Sequence, residues 1–208
     1  MNICGQYLFT FLMAILWQPI KLVGCYLPPT VVPECHCKEG LEGLTIRCTK
    51  LNSTRFLSHL HVDTAQAVVR VEIIDSVVDC VDLKDLAGLY KLKHLKVINS
   101  RLKQMICPAR PARYKTVINN LAGIQTLDVS YNYLSHLDSR LQSSTQLEHL
   151  NLAHNQFYQL SAVISTFAKL KYLDISNNHL SETLDQKIFE KIPLTLQHLD
   201  LTGKYTHC

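Results

Sequence analysis

The chain has 208 residues, 47% of them hydrophobic and 18% charged, which suits one domain with a core and excludes a disordered tail. Seven Gly and seven Pro exclude a collagen-like chain. The net charge of +4 is scattered, unlike the basic stripe of a nucleic-acid binder, and no uncharged apolar run reaches the ~18 residues of a membrane-spanning helix.

Tyr7 to Trp17 reads YLFTFLMAILW, with one polar interruption at Thr10, and Gln18-Pro19 ends it. The run is too short to span a membrane and fits a signal-peptide core, although no basic residue precedes it. Cleavage is expected near Gly24, so residues 1–24 are read as a signal peptide and the chain as secreted. Leu22-Val23-Gly24-Cys25 also fits a bacterial lipoprotein site, and a buried helix is the plain alternative. Eight cysteines follow this logic: Cys4 in the leader, then Cys25, Cys35, Cys37, Cys48, Cys80, Cys107 and Cys208. Disulfides are the expected use in an oxidising compartment. Zinc at Cys35-His36-Cys37 and Cys48 is the competing reading, but Cys-x-Cys matches metal-ligand spacing poorly. Asn52-Ser53-Thr54 is an acceptor site for an N-linked glycan.

From residue 68 onward the chain repeats itself. Ile124 to Leu134 reads IQTLDVSYNYL, Leu147 to Phe157 reads LEHLNLAHNQF, and Leu170 to Leu180 reads LKYLDISNNHL, at steps of 23 residues. The frame is L-x-x-L-x-L-x-x-N-x-L, with Asn132, Asn155 and Asn178 in the polar slot. Weaker copies begin at Val68 and Leu92, with Ser76 and Ser100 in that slot, and at Leu196, with Lys204 there. Each L-x-L core predicts a short strand whose alternate side chains point inward. A period of 23 residues with a period-2 core is not a helical pattern.

The frame resembles the leucine-rich repeat family over residues 68 to 206. The resemblance implies an α/β solenoid: a leucine-rich repeat horseshoe of about six repeats, with a parallel concave β-sheet and an irregular or short-helical convex side. Repeats are expected to start near residues 68, 92, 124, 147, 170 and 196, filling 68–208. The Asn residues are expected to satisfy backbone groups as a structural ladder. Leu137, Leu141, Leu160, Ile164, Phe167, Leu184, Ile188 and Phe189 are expected to fill the convex side. Residues 25–67, with CHCKEGLEGLTIRC at 35 to 48, resemble the cysteine-rich amino-terminal cap of extracellular members. That likeness implies Cys25–Cys37 and Cys35–Cys48 bridges and a strand over Leu44 to Cys48 against the first repeat.

The step from Leu92 to Ile124 is longer, at 32 residues. Its excess includes Cys107-Pro-Ala-Arg-Pro-Ala-Arg113, where two prolines block helix and ladder, so it is expected to bulge from the convex face. Cys80 and Cys107 fall at similar heights in adjacent repeats, which predicts a bridge. Cys208 has three readings: a free thiol, a link to a second chain that would give a disulfide-bonded dimer, or the first cysteine of a truncated cap. Cys25 is the other cysteine that could stand unpaired.

The outward strand positions form two rows. One holds Arg70, His94, Thr126, His149, Tyr172 and His198; the other holds Glu72, Lys96, Asp128, Asn151, Asp174 and Asp200. Further out lie Asp75, Asn99, Tyr131, His154 and Asn177. Tyr131, His149, Tyr172, His198, Asp128, Asp174 and Asp200 are the candidate protein-binding residues, since exposed aromatics anchor interfaces. Reversal of Asp128, Asp174 and Asp200 to Lys is expected to abolish binding without unfolding. A metal or pH-sensing site at His149, His154 and His198, and plain solvated surface, are the competing readings. No G-x-S-x-G, H-E-x-x-H, phosphate loop or dinucleotide fingerprint occurs, so neither catalysis nor a cofactor is expected. The expected role is a secreted, extracellular module that binds a protein ligand or receptor. A structural matrix component and an intracellular regulator are the alternatives.

Overall fold

The computed structural model describes Leu27 and residues 34–82, 84–108, 121–180 and 191–203. Cys35–Glu39 (β1) and Leu44–Thr49 (β2) make an antiparallel hairpin. Gly43 closes it at φ 143°, where a Cβ would meet the Ala67 carbonyl oxygen at 2.5 Å, so a side chain does not fit. β2 then pairs in parallel with Val68–Ile74 (β3). The sheet continues in chain order through His94–Ile98 (β4), Thr126–Asp128 (β5), His149–Asn151 (β6), Tyr172–Asp174 (β7) and His198–Asp200 (β8), to make an 8-stranded sheet. The result is the α/β solenoid that the repeats predict.

One inward row shows why the strands stack. Ile46, Val71, Leu95, Leu127, Leu150 and Leu173 are successive register partners, and all are buried. Burying each contributes about 2 kcal/mol, and each is covered by the repeats on either side. Leu199 continues the row on β8 and is only partly buried.

The convex side is built from single turns. Short 3-10 helices span Ser139–Ser143 and Ala162–Thr166, capped by the Asp138 and Ser161 side chains. Leu137, Leu141, Leu160, Ile164 and Phe167 point into the core from this side. Leu184, Ile188 and Phe189 lie outside the described residues. Near the hairpin, a 3-10 turn over Arg55–His59 and one short helix, Val62–Ala67 (α1), lead into β3. There the buried Asp85 carboxylate accepts the Thr54 hydroxyl at 2.6 Å, tying the hairpin side to the following repeat.

Buried Asn side chains tie one repeat to the next. Asn132 Oδ1 accepts the Ser100 and Leu102 N–H groups of the preceding repeat, and its Nδ2 donates to Val97 O at 2.6 Å. Asn155 Oδ1 accepts from Leu134 N and Asn178 Oδ1 from Phe157 N. Ser76 and Ser100 keep only part of this work. Their hydroxyls accept from Leu51 N and Ser76 N, then donate back to their own strands.

Cys35 is bonded to Cys48 across the hairpin, so these sulfurs are not free thiolates for zinc. Cys37 is also disulfide-bonded. Cys80 is bonded to Cys107 beside the parallel bridge Val81–Ile106. Arg140 reaches over from the next convex turn and donates to the Ile106 and Cys107 carbonyls, while Asp138 holds its guanidinium at 2.6 and 2.9 Å. The start of the long insertion is thus fixed by a covalent and an ionic clamp. Cys4, Cys25, Arg110, Arg113 and Cys208 lie outside the described residues.

Candidate binding face

The open side of the sheet presents the two outward rows in register. Arg70, His94, Thr126, His149, Tyr172 and His198 are neighbours across the strands, as are Glu72, Lys96, Asp128, Asn151, Asp174 and Asp200. The two ends of the face differ in charge. At the hairpin end Glu72 is met by Arg47, Arg70 and Lys96 at 3.9–4.0 Å, an excess of cations over one carboxylate. Burial, reinforced by Arg70, depresses the His94 pKa, so this imidazole is neutral at pH 7, and its Nδ1 lies 3.1 Å from the Thr126 hydroxyl.

The other end is aromatic and acidic. Tyr172 stacks on His198 with ring centroids 4.7 Å apart and planes 4° from parallel, and meets His149 on its other side at 5.9 Å. Such pairs contribute about 0.5–1.5 kcal/mol each and hold the rings upright. Burial first, then Asp174, Asp200 and Asp128, raise the Tyr172 pKa, so the phenol stays a hydrogen-bond donor.

The carboxylates of this end are less free than the sequence suggests. Asp128 Oδ1 accepts the Ser130 N–H and hydroxyl, Asp174 Oδ1 accepts Ser176 N–H, and Asp200 Oδ1 accepts Thr202 N–H at 2.8 Å. Asn151 does the same with Ala153 N–H. Each side chain takes the amide two residues on and turns the chain out of the sheet. This accounts for strand length. β5 to β8 are 3 residues long and end on these groups. β3 and β4, with Glu72 and Lys96 in the same place, run to 7 and 5 residues. Reversal of Asp128, Asp174 and Asp200 to Lys therefore removes three turn-holding amide bonds as well as the charge.

The histidines do not converge on a metal. His149 and His198 are separated by the Tyr172 ring, and His154 sits past the strand end, stacked on Tyr131 at 4.1 Å. Among the described residues no cluster of His, Cys, Asp or Glu is arranged to hold one.

Tyr131 is likewise not on the strand rows. It occupies a turn rung with Lys50, Asp75, Asn99, His154 and Asn177, all at φ between 49 and 57°. The last member of the rung is Gly203, where a Cβ would meet Asn177 N at 2.5 Å. Beside the rung on this flank is a groove of about 500 Å³, lined by Asp75, Asn99, Arg101, Tyr131, Tyr133 and His154, with Ser76 and Asn132 among its other residues. Sequence reasoning missed Arg101 and Tyr133, because their repeat position has no fixed residue type. Asn52 is exposed just past β2.

Residues 169–191 match the Leucine Rich Repeat family model. No curated protein matches the chain. Among solved structures it is similar to a leucine-rich repeat protein of Leptospira interrogans, at 22% identity and a TM-score of 0.59, over 74% of this chain and 35% of that one. It is also similar to a chain of the mouse RP105/MD-1 complex, at 23% identity and a TM-score of 0.56, over 76% of this chain and 25% of that one. A chain of the TLR13–ssRNA13 complex gives 20% identity and a TM-score of 0.55, over 74% of this chain and 21% of that one. The chain spans 35% or less of the length of these structures. The likeness shows the fold, a leucine-rich repeat solenoid.

Proposed function

We propose that this chain is an extracellular protein-binding module that engages its partner with the concave sheet face. The observation that carries the reading is the row His149–Tyr172–His198, three aromatic side chains held against one another on an open sheet. Rings already stacked in the free protein lose little side-chain entropy on binding, which is what an interface anchor needs. The charge split adds orientation: an acidic segment of the partner belongs at the Arg47, Arg70 and Lys96 end, and a basic one beside Asp174 and Asp200. The same split argues for protein over nucleic acid, because Glu72 offsets the cations and the other end would repel phosphates. Action outside the cell is supported by the Cys35–Cys48 and Cys80–Cys107 bridges, which persist in oxidising compartments. Cleavage after Gly24 and a glycan on exposed Asn52 belong to the same reading. Among the described residues the face is an open sheet, which suits recognition.

The test is a binding screen of the secreted protein against an array of purified extracellular domains, repeated with His149→Ala/Tyr172→Ala/His198→Ala. The triple variant is expected to lose at least about 100-fold in affinity for any partner found, since anchors of this kind are each worth about 2 kcal/mol. Unchanged affinity in a folded variant would remove the concave face from the account.

A further inference from the structure

The flank groove is bordered by three residues whose backbone lies in the left-handed region. Every residue of the rung has positive φ, a conformation that Gly, Asn and Asp adopt readily and other side chains resist. Asp75, Asn99, Asn177 and Gly203 fit this and His154 at φ 55° is of a type found there more often than most, whereas Tyr131 at φ 57° and Lys50 at φ 56°, the latter not lining the groove, fit it poorly. Arg101, on the opposite wall, is also strained, at φ 58°. These three residues, in neighbouring repeats, border the same groove.

The wall chemistry specifies what the groove takes. Tyr131 is stacked face to face on His154 at 4.1 Å with planes 11° from parallel, which steadies the ring and leaves for a ligand only its face turned away from His154, and Tyr131 and Tyr133 are about half exposed. Such a surface receives the C–H face of a ring. Asn99 Nδ2 donates to Asp75 Oδ1 at 2.7 Å, and the other side-chain oxygens of this pair, Asp75 Oδ2 and Asn99 Oδ1, accept no hydrogen bond from the described residues. Two adjacent acceptors call for hydroxyl donors. Arg101 is exposed and makes no ion pair among the described residues; its guanidinium offers two parallel N–H donors to the oxygens of an anion. Hydroxyls, an anionic group and an apolar ring face combine in a sugar ring that bears a carboxylate or a sulfate. The volume of about 500 Å³ is that of a small-ligand site.

We infer that the flank groove bordered by Arg101, Tyr131, Tyr133 and His154, just past the ends of β3, β4 and β5, is an acidic-saccharide site. The experiment is calorimetric titration of the intact secreted protein with three hexasaccharides: one carrying carboxylates, one carrying sulfates, and one neutral. Either or both of the first two are expected to bind, and which does so identifies the anion. Arg101→Ala and Tyr133→Ala should each weaken binding at least tenfold. Lys103→Ala, which removes an exposed cation two residues from Arg101, should leave it unchanged. Tyr131→Asn/His154→Asn should keep the parent's melting temperature, because Asn suits the rung, and still lose binding. Three results overturn the assignment: no binding of any probe, equal binding of the neutral probe, or equal weakening by Lys103→Ala, which would mark a diffuse attraction of polyanions to a basic chain. If no saccharide binds while Arg101→Ala weakens a protein partner, the groove is a protein contact and the inference fails.

Discussion

Asn155→Ala tests the strongest energetic statement about the solenoid. In the parent, Asn155 Oδ1 accepts the buried Leu134 N–H at 2.9 Å, and Nδ2 donates to Val129 O, Leu152 O and Ala153 O. The carbonyls keep other partners: Val129 O is also met by Asn132, Leu152 O by Asn178, and Ala153 O by Tyr131 N. The Leu134 N–H has no such reserve, so the substitution orphans one buried donor, at about 2 kcal/mol, and removes shared bonds worth about 1 kcal/mol more. The expected loss in urea unfolding is about 3 kcal/mol. Asn155→Asp provides the sharper contrast. It keeps the acceptor for Leu134 but sets a carboxylate against carbonyl oxygens. It is expected to be no more stable than the Ala variant at neutral pH. It should recover as pH falls, because burial among acceptors favours the protonated acid, which can donate. A loss below about 1 kcal/mol for Ala, or an Asp variant as stable as the parent at neutral pH, would refute the reasoning.

Other predictions concern the clamps and the buried acid. Arg140→Ala should destabilise by about 2 kcal/mol through the loss of charged hydrogen bonds to the Ile106 and Cys107 carbonyls. The Arg140 side chain also holds Asp138 below the ordinary carboxylate range, so that part of the stability is present at neutral pH and lost as pH falls through the lowered value; the gap between parent and variant should narrow in acid. Cys80→Ser/Cys107→Ser opens a loop with a sequence separation of 27, and chain entropy alone predicts a loss of about 3.5 kcal/mol by chemical denaturation. Burial raises the Asp85 pKa, against the Thr54 hydrogen bond, so its favourable contribution is present below the ordinary carboxylate range and lost as pH rises through the raised value. Asp85→Asn should therefore match or exceed the parent in melting temperature at neutral pH, and a clear drop would show that the carboxylate is needed charged.

The repeat pattern made the fold legible because each residue type in it has one physical task. Leu127, Leu150 and Leu173 fill the core, and the Asn slot answers backbone groups that no neighbouring strand reaches. The outward rows were legible for the same reason, since side-chain period fixes the face. What escaped was local chemistry laid over that frame. Asp128, Asp174 and Asp200 look like solvated charges along a strand, yet each is followed two residues later by Ser or Thr whose amide it takes; D-x-S and D-x-T were the signal. Tyr131 reads as one more exposed aromatic until the backbone shows it in a conformation that suits Asn. Arg140 and Asp85 lie in variable segments, and their partners, Cys107 and Thr54, are 33 and 31 residues away, beyond what any local pattern reports.

The central claim is that the concave sheet, rather than the convex side, meets the partner. A photo-crosslinking amino acid placed at Thr126, on the sheet beside the His149–Tyr172–His198 row, and separately at exposed Ser165, on a convex turn, tests it in medium from secreting cells, whatever the partner's identity. The account predicts a discrete crosslinked species from position 126, competed by excess unlabelled protein, and none from position 165. A competed crosslink from position 165 alone would contradict it.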